Sequence, residues 1–185
     1  MANLKQAQLY VGTYRKYNEG SIFGKWMTLS EYDNKEEFLA ACHELHKDED
    51  DPEFMFQDYD ELPECFYCES YISPKFWDLL EATNDMSEDE LETFCEWCDY
   101  QGHVLDSEDA DAIVEKFNDS HMGDFEDGSG WSPLKNYAYD LAPDMLGLSR
   151  DAFERISSYI DFDAIARDLE CNGYYDINGH VFMAV

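Results

Sequence analysis

The sequence predicts an α+β protein, an elongated chain of three small mixed α/β units with a strongly acidic surface. Three observations lead there. Short strand-like segments and capped helices are interspersed along 185 residues, too few for more than one ordinary domain or a few very small ones. Hydrophobic residues make up 44% and aromatics 16%, so the chain can build cores that a disordered acidic tail cannot. Asp and Glu number 43 against 12 Lys and Arg, a net charge of −31. Self-repulsion of that size favours a shape that keeps the charges apart.

The first unit is placed at residues 1–62. Residues 7–14, AQLYVGTY, alternate β-branched and aromatic side chains and read as a strand. Asn18-Glu19-Gly20 supplies a turn, and residues 21–29 read as the returning strand. Asp33 or Asn34 can cap a helix over 35–47, with Phe38, Leu39, Cys42 and Leu45 at helical spacing. The acidic loop DEDDPE follows, then a strand over 53–59.

The second unit, residues 63–103, reads as mainly helical. Ser73-Pro74 opens a helix to Ala82. Ser87 and Glu90 form a capping box for a helix through Tyr100, with Gly102 at its stop. Leu91, Phe94, Cys95 and Cys98 make its apolar stripe, and Glu88, Glu92, Glu96 and Asp99 an acidic one. Like charges four residues apart weaken an isolated helix, so that stripe is a cost.

The third unit, residues 104–185, begins with a helix capped by Asp106 or Ser107 and carrying Ala110, Ile113, Val114 and Phe117. Residues 120–130 read as a Gly/Asp-rich loop. Ser132-Pro133 starts a helix with Leu134, Tyr137, Ala138 and Leu141. Ser149 caps one with Phe153, Ile156 and Ile160, and Asp161 another with Ile165, Ala166 and Leu169. Tyr174 to Val185 reads as a hairpin about Asn178-Gly179.

The charge is uneven. Residues 1–47 hold six acids and six bases, residues 135–185 nine acids and four bases, and residues 48–134 hold 28 acids with only Lys75 and Lys116. A salt-adapted protein would be acidic throughout, whereas a concentrated charge marks a functional surface. Phosphates would repel such a protein, which excludes direct nucleic-acid binding. No apolar run is long enough to span a membrane, and MANLKQAQLY lacks a secretory apolar core, so a cytoplasmic setting with reduced thiols is expected.

Specific chemistry finds little support. GxSxG, GxxxxGK[ST], GxGxxG and HExxH are all missing, and abundant carboxylates make chance acid pairs uninformative, so no enzyme and no cofactor are expected. Cys65, Cys68, Cys95 and Cys98 have the nominal spacing of a four-cysteine zinc site. Two of them fall on an apolar helix stripe and no base lies near either pair. They are read as core cysteines, with a zinc-dependent interaction module kept as the alternative. Cys42 and His46, one turn apart beside His43, lack a partner motif. Asp124, Glu126 and Gly128 begin an EF-hand-like loop that fails at Ser129 and Lys135. What remains is the field. Duplex DNA carries one charge per about 1.7 Å, so the −26 of residues 48–134 corresponds to about 44 Å of duplex. A folded protein of that density suits a DNA-binding groove; a general acidic chaperone of basic proteins is the further alternative.

The chain resembles the ArdA-type antirestriction proteins. Leu9-Tyr10-Val11-Gly12, Tyr17-Asn18-Glu19-Gly20 and Gly24-Lys25-Trp26 match the family's opening, and Phe56 to Asp60 its next segment. Tyr159, Phe162-Asp163, Ala166 to Leu169 and the hairpin from Tyr174 to Phe182 match its end. The resemblance implies a mimic of B-form DNA that blocks type I restriction–modification enzymes on behalf of a mobile element. It implies three small units in a curved chain and a homodimer formed through the C-terminal part. It also implies a DNA-mimic role for the acids present here. Those are Asp48, Glu49, Asp50, Asp51, Glu53, Asp58, Asp60, Glu61 and Glu64, then Glu88, Asp89, Glu92, Glu96, Asp99, Glu108, Asp109, Asp111 and Glu115. The stretch from Asp124 to Pro133 departs from the acidic helical pattern of the family's dimer region.

Overall fold

A computed structural model describes residues 4–184. The chain is mixed α/β with small antiparallel sheets and divides into two compact units, residues 1–115 and 116–185.

In the first unit, β1 (Gln8–Thr13) pairs with both β2 (Lys25–Thr28) and β3 (Phe54–Asp60), giving the order β2-β1-β3. Leu9 and Val11 point inward and are fully buried, while Gln8 and Tyr10 stay partly exposed, the period of two expected of a one-sided sheet. The expected turn at 18–20 is more elaborate. Thr13 caps a short helix α1 (Tyr14–Asn18), accepting from the Lys16 amide. The returning strand then starts only at Lys25, because residues 21–24 wrap past the Tyr10 ring. A Cβ on Gly24 would sit 2.6 Å from that ring and 2.7 Å from the Val11 carbonyl oxygen, which only glycine tolerates. Helix α2 (Lys35–Leu45) is capped by Asn34, whose Oδ1 accepts from the Glu37 amide at 2.9 Å, and buries Phe38 and Cys42.

The segment after β3 folds back on it. The Phe56 amide donates to the Glu69 carbonyl at 2.7 Å, and the Tyr67 hydroxyl donates to the Phe56 carbonyl. Between them lies a two-residue ribbon, β4 (Tyr67–Cys68) with β5 (Tyr71–Ile72), too short to leave a sequence signature. Helix α3 (Lys75–Ala82) begins one residue later than Ser73-Pro74 implies, with Pro74 itself in the cap position. Its Trp77 donates to the carbonyls of Leu29 and Tyr32. Phe38, Phe56 and Trp77 meet ring to ring, as do Phe66, Phe76 and Trp77. Helix α4 (Glu88–Gln101) has the full capping box and ends at Gly102 in the left-handed region. Leu91, Phe94, Trp97 and Cys98 face the core, with Cys95 half-buried. Helix α5 (Ala110–Ser120) starts later than expected. Its cap is Asp109, which accepts from the Ala112 amide, and not Asp106 or Ser107.

In the second unit, the loop expected over 120–130 contains a strand, β6 (His121–Asp124), paired with β8 (His180–Met183) in the order β6-β8-β7. Helices α6 (Pro133–Leu146), α7 (Arg150–Ile156) and α8 (Phe162–Cys171) are capped by Ser132, Ser149 and Asp161 as the sequence predicts. Phe153 is buried, but α7 ends at Ile156, which is exposed, and a 3-10 turn covers Ser157–Tyr159. Leu134, Ala138, Ala166, Leu169 and Val181 form one core, and Ala142, Phe153 and Phe162 another. The hairpin of β7 (Tyr174–Ile177) and β8 turns at Asn178 and Gly179, both at positive φ as a type I′ turn requires.

Candidate functional site: carboxylates of the first unit

The acidic loop after α2 is anchored by one member. Glu49 is only 9% exposed; its Oε1 accepts from the Thr13 hydroxyl at 2.7 Å and lies 3.4 Å from Lys16 Nζ. Lys16 also bridges Asp48 at 2.8 Å and donates to His46 Nδ1 at 3.0 Å. The other ring nitrogen of His46 faces the Val11 carbonyl, so the imidazole is held neutral. Burial pushes its pKa down, and the neighbouring Lys16 adds to this. This network fixes where Asp48, Asp50, Asp51 and Glu53 emerge into solvent. Glu49 is thus a buried anchor, not part of an accessible surface, because its carboxylate is used inside.

On β3, Asp58 and Asp60 occupy the exposed positions of the strand's alternation. Glu61 follows at φ 54°. Glu64 accepts from the Tyr59 hydroxyl at 2.8 Å, which raises that phenol's pKa. On α4 the acids split by role. Glu90 is consumed by the capping box, its Oε2 accepting from the Ser87 amide and hydroxyl. Glu88 and Asp89 lie in the first turn, where the helix dipole favours them. Glu92, Glu96 and Asp99 gain nothing from the dipole, and the last turn carries no base. On the approach to α5, Glu108 accepts from the Val104 amide at 2.8 Å and contacts His103 at 3.0 Å. Asp109 is the cap, and Asp111 and Glu115 are exposed.

Of the eighteen acids singled out from sequence, thirteen are exposed; Glu61, Glu92, Glu96 and Glu108 are half-buried, and Glu49 is buried. Folding brings several together that are distant in sequence. Glu64 joins Glu92, Glu96 and Asp99 around a cleft of about 470 Å³. Asp109 and Asp111 join Asp78 and Glu81 of α3 around another of about 460 Å³, with Lys75 the one base in its lining. Asp78 and Glu81 escaped the sequence reading. Their signal was the i, i+3 spacing on the face of α3 away from Phe76 and Leu79.

The cysteines differ in setting: Cys42 and Cys98 are buried, Cys95 is half-buried, and Cys65, Cys68 and Cys171 are exposed. Burial pushes the thiols of Cys42 and Cys95 up to about 12, with Asp99 and other carboxylates adding to the effect at Cys95, and Cys98 moves in the same direction. A thiol that burial keeps protonated is a poor nucleophile. Among the described residues, no group of three or more His, Cys, Asp or Glu could hold a metal ion. Nor is any described helix long and apolar enough to cross a membrane.

No curated protein matches the sequence. A protein family does: residues 9–182 match the family described as antirestriction protein (ArdA), nearly the whole length, and the chain therefore belongs to the ArdA antirestriction family.

Proposed function

We propose that the protein is a non-catalytic mimic of duplex DNA that occupies the DNA-binding groove of a type I restriction–modification enzyme and excludes DNA by competition. It acts in the cytoplasm as a homodimer, with no cofactor, on behalf of a mobile genetic element. One observation carries the reading: 28 acids against two bases over residues 48–134, most of the singled-out carboxylates reaching solvent from successive elements. Basic side chains that ordinarily meet phosphates would meet these carboxylates. The stripe on α4 supports the reading further, since it costs helix stability and so is retained for another reason. Membership of the antirestriction family points the same way.

The test is displacement. A type I methyltransferase core is loaded with labelled duplex, and the protein is added at two salt concentrations. Release at near-stoichiometric protein, weakened by salt, is expected. Failure to release DNA at low salt and large excess would sink the proposal. Equal release from unrelated DNA-binding proteins would replace it with a general acidic chaperone.

A further inference from the structure

The first unit also carries an apolar patch that phosphate mimicry does not use. Ile22 is 83% exposed, Phe23 51% and Trp26 39%. Single exposed apolar side chains are ordinary, but contiguous ones mark a contact surface. Ile22 and Phe23 adjoin in the loop before β2, and Tyr10 links that loop to Trp26. Its hydroxyl donates to the Ile22 carbonyl at 3.0 Å, and its ring meets the Trp26 ring edge-on at 5.5 Å. Residues 10–26 hold three bases and one acid, within a chain of charge −31.

The patch is held in place. The Ser21 amide donates to the Lys16 carbonyl at 2.8 Å, the Phe23 amide donates to Ser21 Oγ at 3.2 Å, and Gly24 lets the chain pass against Tyr10. Acids flank it on two sides. On the outward face of the sheet Trp26 stands opposite Tyr10, Tyr10 opposite Asp58, and Asp60 opposite Gln8 beside them. On the other side the Phe23 ring packs edge-on against His46 at 5.7 Å, with Lys16 Nζ 4.7 Å from its centroid, and Lys16 bridges Asp48. An occupant of the patch therefore meets the carboxylates of β3 and of the acidic loop at the same time.

That neighbourhood selects the occupant. A second copy docked patch to patch about a two-fold axis would bring both sets of carboxylates face to face, and like charges across an interface are penalised. An anionic lipid surface is repelled for the same reason. What fits is a protein surface that is apolar at its centre and basic at its rim. Distributed charge attracts any protein with a basic DNA groove, whereas a rigid aromatic and aliphatic anchor binds only where a matching apolar surface lies beside that groove. We infer that the patch of Ile22, Phe23 and Trp26 docks on an apolar surface at the edge of the target enzyme's basic groove and gives the inhibitor its preference for that enzyme. The inference rests on the DNA-mimic reading for the groove, and adds to it a contact that salt does not screen.

The displacement assay tests this with variants that leave the charge at −31. Ile22→Ser with Phe23→Ser, and separately Trp26→Thr, should each require about tenfold more protein to release DNA from the type I core, by the same factor at both salt concentrations. Asp58→Asn with Asp60→Asn is the contrast, since its deficit should shrink as salt rises. Against an unrelated basic DNA-binding protein, parent and apolar variants should behave alike. Ile22→Ser alone, in a side chain already 83% exposed, should still show a severalfold deficit if loss of Phe23 disturbs the fold by circular dichroism. Apolar variants that displace as well as the parent would overturn the anchor. A deficit that vanishes at high salt, or that is equal against the unrelated protein, would overturn its apolar and selective character. A parent that sediments as a larger assembly than the Ile22→Ser/Phe23→Ser variant would assign the patch to a second copy instead. If the parent itself displaces nothing from the core, the DNA-mimic reading fails, and this partner fails with it.

Discussion

Neutralising the outer stripe of α4 should make the protein more stable and a worse inhibitor at once. The perturbation is Glu92→Gln, Glu96→Gln and Asp99→Asn together. Glu88 is kept, because it lies in the first turn where the dipole favours it. Three like-charge pairs within the stripe disappear: Glu88 with Glu92, Glu92 with Glu96, and Glu96 with Asp99. At about 0.2–0.5 kcal/mol each, this relieves about 0.6–1.5 kcal/mol. Removing Asp99 from a last turn that lacks any base adds about 0.3–1 kcal/mol at low salt. The expected gain is about 1–2 kcal/mol, or a rise in Tm of about 3–8 °C, shrinking as salt screens the repulsion. Binding should move the other way. Three exposed or half-exposed charges at about 0.2–1 kcal/mol each, about 0.6–3 kcal/mol together, predict displacement of DNA weakened from about threefold to over a hundredfold. The Cys95 thiol, raised chiefly by burial and then by these carboxylates, should become easier to ionise while staying far above neutral. Thermal melts at two salt concentrations and the displacement assay read both arms. A less stable variant would mean that the stripe is structural. A stable variant with undiminished displacement would remove α4 from the contact face.

Three further outcomes are expected. Lys16→Met leaves Glu49 buried without its cation and should cost about 3 kcal/mol in chemical denaturation, with Lys16→Met/Glu49→Met recovering part; an unchanged midpoint for the single variant would contradict the anchor role. Stability should fall with acidification below the ordinary imidazole value of 6.5, because the unfolded chain then takes up a proton that buried His46 refuses; His46→Gln should flatten that slope between pH 7 and 5, and an unaltered slope would exclude His46 as its source. Gly179→Ala should lower Tm by an amount equivalent to about 1–3 kcal/mol, since φ there is +85° and the new methyl meets Glu126; calorimetry showing no change would mean the turn relaxes freely.

Much of this was legible in sequence because it is local. Asn34, Ser87 with Glu90, Ser132, Ser149 and Asp161 each satisfy an amide two or three residues away, so the helix starts follow from neighbouring residues alone. Asn178-Gly179 specifies its turn for the same reason. Regional charge is a sum over residues and needs no coordinates, and the glycine and aromatic spacing at the two ends sufficed for the family. The structure decided what depends on distant partners. Strand β6 exists because β8, some sixty residues on, supplies its hydrogen bonds. The ribbon of β4 and β5 forms where the chain lies against β3. Glu49 looks like its neighbours in sequence and is buried because Thr13 and Lys16 converge on it. Glu64 meets the α4 stripe only after folding. Charge and capping are properties of the chain; burial and convergence depend on which segments pack together, and no single segment encodes that.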